Sequence, residues 1–98
     1  MDILRVSKHL NWYQYSDKLI IRNLDTSEIY SLTDSMKEIW LMISKGYTRD
    51  TIYQSFSSTR NIPINMCKTD IDDIIYILKD MNLINTNSHN LDIQEMRL

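Results

Sequence analysis

The most constraining feature of this sequence is a strand-like segment that runs directly into a helix-like one over residues 28–44. Along Glu28–Leu32 the side chains fall into two alternating sets, which is the period of a β-strand. An apolar set then recurs at spacings of three and four, as on one face of a helix. Its members are Met36, Ile39, Trp40 and Ile43. A strand edge joined to a helix that is anchored in a core can offer backbone hydrogen bonds to a visiting chain.

The junction between these segments carries side chains that typically begin a helix. Residues 33–35 have small oxygen-bearing side chains that suit an N-cap, and Ser35 with Glu38 fits a capping box. We therefore predict a helix from about Asp34 to Lys45. Gly46, the single glycine, follows at the position where a left-handed backbone ends a helix.

Two strand-like segments precede the junction and complete a small sheet. Leu10–Tyr15 is bulky and aromatic, and Lys18–Leu24 is the clearest strand of the chain. Residues 16–17 suit a tight turn between them, and residues 23–27 are rich in turn formers. Such short connections predict an antiparallel meander, with the strand before the junction as its third member.

Two more helices are predicted beyond the glycine. Thr48 suits the N-cap of the second helix, and the polar segment Ser57–Asn65 is typical of a loop. A third helix is predicted over Met66–Met81, because Asn82 tolerates the left-handed conformation that ends a helix. The expected fold class is α+β, with an N-terminal three-stranded antiparallel sheet followed by three helices.

The sequence predicts one domain followed by a tail. A chain of 98 residues has the length of a single domain. Leu83 and Ile84 return to the core after the third helix, so we place the domain at residues 1–84. Residues 85–98 lack a sustained pattern and are expected to form a flexible tail, with partial order at Leu91–Ile93 left open.

Composition and charge restrict the function. The formal net charge of −2 argues weakly against a nucleic-acid binder, which needs a basic face. No stretch approaches the length of a membrane span, and the N-terminus lacks the features of a signal peptide, so we expect a cytoplasmic protein. His9, His89 and Cys67 are far apart in the chain, without metal-ligand spacing. We therefore expect no catalytic residue, no metal and no cofactor.

One strip of the third predicted helix combines an isoleucine with carboxylates. At 100° per residue, Ile71, Ile75 and Leu78 form the core line, with Ile74 on its flank. Ile77 lies off this line, on a strip whose acidic members are Asp70, Asp73 and Asp80. An isoleucine among aspartates suits a small apolar pocket with a charged rim. It also suits the edge of the core beside solvated carboxylates, which the residues alone favour, and both interpretations stay open.

The order of these elements resembles the PqqD-like family, the RiPP recognition elements that bind leader peptides of ribosomally made, modified peptides. The matching segments are LIIRNLDTSEIYSLT, SMKEIWLMISKGYTRDTIYQSF and TDIDDIIYILKDMNLI. With the preceding strand they cover residues 10–84. Thr33 stands where the family usually has Asn, Ser35 and Met36 replace small residues, and Asn82 replaces a glycine. None of these departures removes a binding element.

The resemblance implies a winged-helix-like domain that captures a leader peptide by β-strand addition. It places the receiving edge at the third strand, whose residues are Glu28, Ile29, Tyr30, Ser31 and Leu32. It places the groove wall on the third helix, at Asp70, Asp73, Ile74, Ile77 and Asp80. Either side-chain set of the strand could face the groove, because both contain an apolar member. The acidic strip implies a peptide with Lys or Arg near its apolar anchors.

The implied function is a non-catalytic adaptor that delivers a precursor peptide to a separate enzyme. That enzyme could be a radical SAM maturase, or a cysteine leader peptidase of a lasso-peptide pathway. Two alternatives compete with this hypothesis. One is a winged-helix DNA-binding regulator, which is disfavoured because four aspartates of the third helix would face phosphates. The other is a small docking subunit of an enzyme complex that binds no peptide.

Overall fold

The computed structural model describes residues 2–88, which form five strands and three helices. The strands are β1 (Asp2–Val6), β2 (Leu10–Tyr15), β3 (Lys18–Asn23), β4 (Ile29–Leu32) and β5 (Ile84–Ser88). The helices are α1 (Asp34–Ser44), α2 (Arg49–Arg60) and α3 (Ile64–Asp80).

The predicted three-stranded meander is confirmed. Strands β2, β3 and β4 form one antiparallel sheet in that order. Trp12 lies opposite Ile21, and Ile21 lies opposite Tyr30, which fixes the register across the sheet. Each strand boundary agrees with the prediction to within one residue.

The prediction of a tail from residue 85 onward is wrong for residues 85–88. These residues belong to β5, which pairs antiparallel with β1 in a second, two-stranded sheet. Buried Ile84 lies opposite Val6, and Thr86 lies opposite buried Leu4. The polar sequence of β5 carries no strand pattern of its own, so a partner distant in sequence decides its conformation. The rest of the predicted tail, including Leu91–Ile93, lies outside the described residues.

The predicted loop over Ser57–Asn65 is also wrong at both ends. Helix α2 continues to Arg60, and α3 begins already at Ile64. Asn61 adopts the left-handed conformation (φ 55°) that ends α2, and the Ser57 hydroxyl donates to the Ile62 carbonyl at 2.6 Å. The polar sequence with Pro63 inside it is typical of a loop, yet its serines lie on a helix whose opposite face is buried.

The helix junction has neither the predicted side-chain cap nor the predicted capping box. Thr33 occupies the N-cap position of α1 and its carbonyl accepts from the Lys37 amide, but its side chain makes no capping hydrogen bond. Ser35 is therefore the second helical residue and cannot act as the cap. The carboxylate of Glu38 binds the guanidinium of Arg60 instead, at 2.7 Å. Gly46 (φ 93°) ends the helix region as predicted.

The hydrophobic core lies between one face of the three-stranded sheet and the helices. The indole N–H of Trp40, at the centre of this core, donates to the Leu83 carbonyl at 3.0 Å. Trp12 meets the Trp40 ring edge-on, with ring centroids 5.3 Å apart. The predicted core faces of α1 and α3 are confirmed, since their buried members are Ile39, Trp40, Ile43, Ile71, Ile75 and Leu78. Within residues 2–88, no helix has the length and apolar character needed to cross a membrane.

Candidate functional site

Strand β4 ends the three-stranded sheet, and no strand among residues 2–88 pairs with its outer side. The Asn23 amide donates to the Glu28 carbonyl at 2.8 Å, which shows that every second residue, counted from Glu28, forms backbone hydrogen bonds with β3. Residues 28, 30 and 32 therefore bond to β3, and the backbone groups of Ile29 and Ser31 point outward. An extended chain beside β4 would find an amide and a carbonyl at each of these two residues.

The side chains of β4 divide clearly between the two faces of the sheet. Leu32 is buried in the core and Tyr30 packs partly against it, so this set faces the helices. Ile29 is 64% exposed and lies with Ser31 on the opposite face. The sequence left open which set faces a groove beside the helices. Glu28 and Tyr30 lie on the helix side of the sheet. Ile29 and Ser31 lie on the opposite face, and their backbone groups point toward the outer edge of β4.

The exposed end of β4 is held by a small polar network. The Tyr30 phenol donates to Oε1 of Glu28 at 3.1 Å, and the Thr26 hydroxyl donates to the same oxygen at 3.2 Å. The hydrogen bond to the Glu28 carboxylate, with smaller contributions from desolvation and charge repulsion, raises the pKa of Tyr30 above its ordinary value.

The predicted strip of α3 is exposed along its length. Ile77 is 43% exposed, Ile74 is half-buried, and the three predicted aspartates are exposed. Two methionines join the same strip at helical spacing, because Met66 lies two turns before the central pair and Met81 follows Ile77 by one turn. Met66 is 63% exposed. Neither is among the predicted groove residues, although Met66 lies eight residues before Ile74 and eleven before Ile77, and Met81 lies four residues after Ile77, which are all helical spacings.

A cavity of about 250 Å³ lies where the N-terminal end of α1 meets the end of α2 and the first half of α3. Ser35, three residues beyond β4, lines this cavity together with Asp70 and Ile74 of the predicted groove wall. The remaining walls are mostly apolar: Phe56, Arg60, Ile62, Met66, Cys67 and Ile71. The structure thus brings two of the five predicted α3 residues into one concave surface next to the end of β4.

Asp80 lies apart from that cavity. It lines a separate open depression of about 340 Å³ at the C-terminal end of α3, with Tyr76, Lys79 and Asn82. Asp73 and Ile77 lie between the two positions along the helix. The predicted groove wall is therefore a strip about three turns long, with a cavity near its N-terminal end.

The opposite side of α3 is tied to α2. The Asp72 carboxylate accepts from Arg49 Nη1 at 2.8 Å and from the Tyr53 hydroxyl in a short hydrogen bond. Burial first, and then the bond to Asp72, raises the pKa of Tyr53. Asp72 thus has a structural role in joining two helices. Among residues 2–88, no three His, Cys, Asp or Glu side chains are grouped so that they could hold a metal ion.

Together these elements define a small α+β domain: an antiparallel meander with an open edge, backed by three helices. The structure is similar to that of TbiB1 in complex with the TbiA(beta) leader peptide, with a TM-score of 0.76 and 16% sequence identity over 83% of this chain and 94% of that one. It is also similar to a lasso peptide synthetase B1 complexed with the leader peptide, with a TM-score of 0.75 and 16% identity over 84% of this chain and 96% of that one.

These similarities confirm the predicted α+β fold, in which antiparallel strands are followed by three helices. No protein-family model and no curated protein matches the sequence.

Proposed function

We propose that this protein is a non-catalytic adaptor that binds the leader peptide of a ribosomally synthesised, post-translationally modified precursor. The observation that carries the proposal is the outer side of β4, which no strand among residues 2–88 covers. The peptide adds to β4 as a further strand and bonds to the backbone of Ile29 and Ser31. Both structurally similar proteins are described in complex with leader peptides, which supports this assignment.

Side-chain recognition takes place on the helix side of the added strand. Because side chains of an extended peptide alternate, every second one points toward Tyr30 and the strip of α3. Apolar peptide side chains bury the exposed surfaces of Ile74 and Ile77, and one enters the cavity beyond the end of β4. The exposed carboxylates of Asp70, Asp73 and Asp80 favour a peptide with Lys or Arg beside its apolar anchors.

The bound precursor is delivered to a separate enzyme in this proposal. A leader peptidase and a radical SAM maturase both fit the role, since each acts on a precursor whose leader is held elsewhere. The adaptor itself supplies affinity and register. A DNA-binding role for α3 is disfavoured because its exposed carboxylates would face phosphates.

Strand addition has a signature that can be measured with backbone-modified peptides. Leader peptides found by titrating a labelled library are resynthesised with one N-methyl group at each successive position. Only alternate positions point their amide toward β4, so affinity should fall at every second position over the paired segment. Each lost hydrogen bond is worth about 1 kcal/mol, which is about a fivefold loss of affinity.

The matched protein variant is Ser31→Pro, which removes one outward amide of β4 and none that bonds to β3. We expect peptide affinity to fall while the fold is retained. A uniform or absent response to N-methylation would contradict strand addition. Tight binding of duplex DNA with a steep salt dependence would instead support the regulator.

A further inference from the structure

Strand β2 forms the second open edge of the same sheet. It has six residues, and five of them are exposed. The Leu24 amide donates to the His9 carbonyl at 2.9 Å, so odd-numbered residues of β2 bond to β3. The backbone groups of Leu10, Trp12 and Gln14 therefore point outward. No strand among residues 2–88 pairs with them.

This edge lacks the features by which proteins normally prevent edge pairing. Soluble proteins protect edge strands with charged residues, prolines, bulges or short length. Strand β2 contains no charged residue and no proline, and its pairing with β3 is unbroken over all six residues. It also exposes large aromatic surfaces, since Trp12 is 45%, Tyr13 60% and Tyr15 67% exposed.

We propose that β2 pairs antiparallel with β2 of a second copy of this chain, forming a two-fold symmetric dimer. A second copy brings an edge of the same length, also without charge, so no ionised side chain of β2 is desolvated in the pair. The two-fold axis can lie at Trp12 or at Tyr13. In both registers, residues whose backbone groups point outward lie opposite such residues of the second copy, and aromatic side chains contact each other across the two strands.

The dimer has one continuous six-stranded sheet with the order β4-β3-β2-β2-β3-β4. Both β4 strands lie at its outer edges and stay open. The inference rests on the β2 edge alone and is independent of what β4 binds. Self-pairing through β4 is disfavoured, since β4 has four residues and directly follows the carboxylate of Glu28.

The experiment measures the dimer dissociation constant of the full chain by sedimentation equilibrium. Gln14→Pro removes the outward Gln14 amide and leaves the bonds to β3 intact. Two hydrogen bonds are lost per dimer, so we expect the dissociation constant to rise about thirtyfold. Ser31→Pro is the matched control, because it removes an outward amide from β4, and it should leave the constant unchanged.

A second pair of variants guards against misfolding of the proline variant. Gln14→Lys puts a charge on the pairing strand, as in naturally protected edge strands, and should also weaken the dimer, whereas Gln54→Lys makes the same change on the exposed side of α2 and should not. The Trp12 and Gln14 amides should exchange more slowly with solvent as protein concentration rises. A wild-type chain that stays monomeric, or a dimer broken by Ser31→Pro and not by the Gln14 variants, would overturn the proposal.

Discussion

The two outer strands of the sheet both have an unpaired edge among the described residues, yet they differ in the core contacts and cavities beside them. Strand β4 is anchored by buried Leu32 and half-buried Tyr30, and a cavity lies just beyond its end. Strand β2 is exposed at five of its six residues; Leu10 packs partly against the core, and Trp12 contacts the ring of Trp40. An edge beside a cavity and the helices can select the side chains of a peptide, whereas an uncharged, largely exposed edge suits pairing with an equivalent strand. This difference underlies the assignment of a peptide to β4 and of a second copy to β2.

The largest expected effect tests whether β4 belongs to the core and β2 does not. Leu32→Ala removes a side chain that is 1% exposed, so we expect the free energy of unfolding to fall by about 3 kcal/mol. Tyr15→Ala, at a position 67% exposed, should cost less than about 1 kcal/mol in the monomer. Urea denaturation at low protein concentration measures both. Similar losses for the two variants would show that the edges are equally anchored.

The next effect tests the side-chain groove that we propose beside β4. Ile77→Asn removes an apolar surface from the α3 strip, and we expect leader-peptide affinity to fall about tenfold, with dimerisation unchanged. Ile64→Asn is the matched control, because Ile64 belongs to the same helix, is 40% exposed and lies about 140° around the helix from Ile77. Fluorescence anisotropy with a labelled peptide measures the affinities. Equal losses of peptide affinity for the two variants would show that Ile77 does not contact the peptide.

A smaller effect tests the charge of the groove. Asp73→Asn should weaken binding of a peptide that carries Lys or Arg by about twofold to threefold at low salt, because exposed ion pairs contribute less than about 1 kcal/mol. The effect should disappear at high salt, where screening is strong. Asp50→Asn makes the same charge change on exposed α2 and is the control. Equal effects of both variants would mean that only net charge matters.

The smallest effect is a pH dependence at the anchored edge. The raised pKa of Tyr30 means that its phenol binds a proton more tightly in the folded chain. Its contribution to stability is complete below the ordinary tyrosine pKa of 10.0 and is lost as pH rises through the higher folded value. Tyr30→Phe should therefore flatten the alkaline loss of stability. Denaturant titrations below and above pH 10 compare Tyr30→Phe with the unmodified chain. The pKa of Tyr53 is also raised, so both proteins lose some stability at alkaline pH through Tyr53.

Much of the candidate site was predictable because it depends on local periodicity. The alternation over residues 28–32 predicted β4, and helical spacing separated exposed Ile77 from buried Ile75 and Leu78. The same spacing could have added Met66 and Met81. The set of β4 side chains that faces the helices was not predictable, since the alternation of β4 is equally compatible with either face. Pairing with β3 decided that Tyr30 and Leu32 face the helices, because they lie opposite the buried residues Ile21 and Leu19.

The sequence by itself determined the meander, the apolar faces of the helices and the left-handed positions at Gly46 and Asn82 (φ 93° and 62°). These features follow from side-chain spacing and backbone sterics within a few residues. Only the tertiary structure decided the pairing of β5 with β1, the binding of Glu38 to Arg60 and the outward direction of the Ile29 and Ser31 backbone. Each of these depends on groups that are distant in sequence, whose contacts leave no periodic pattern in either segment.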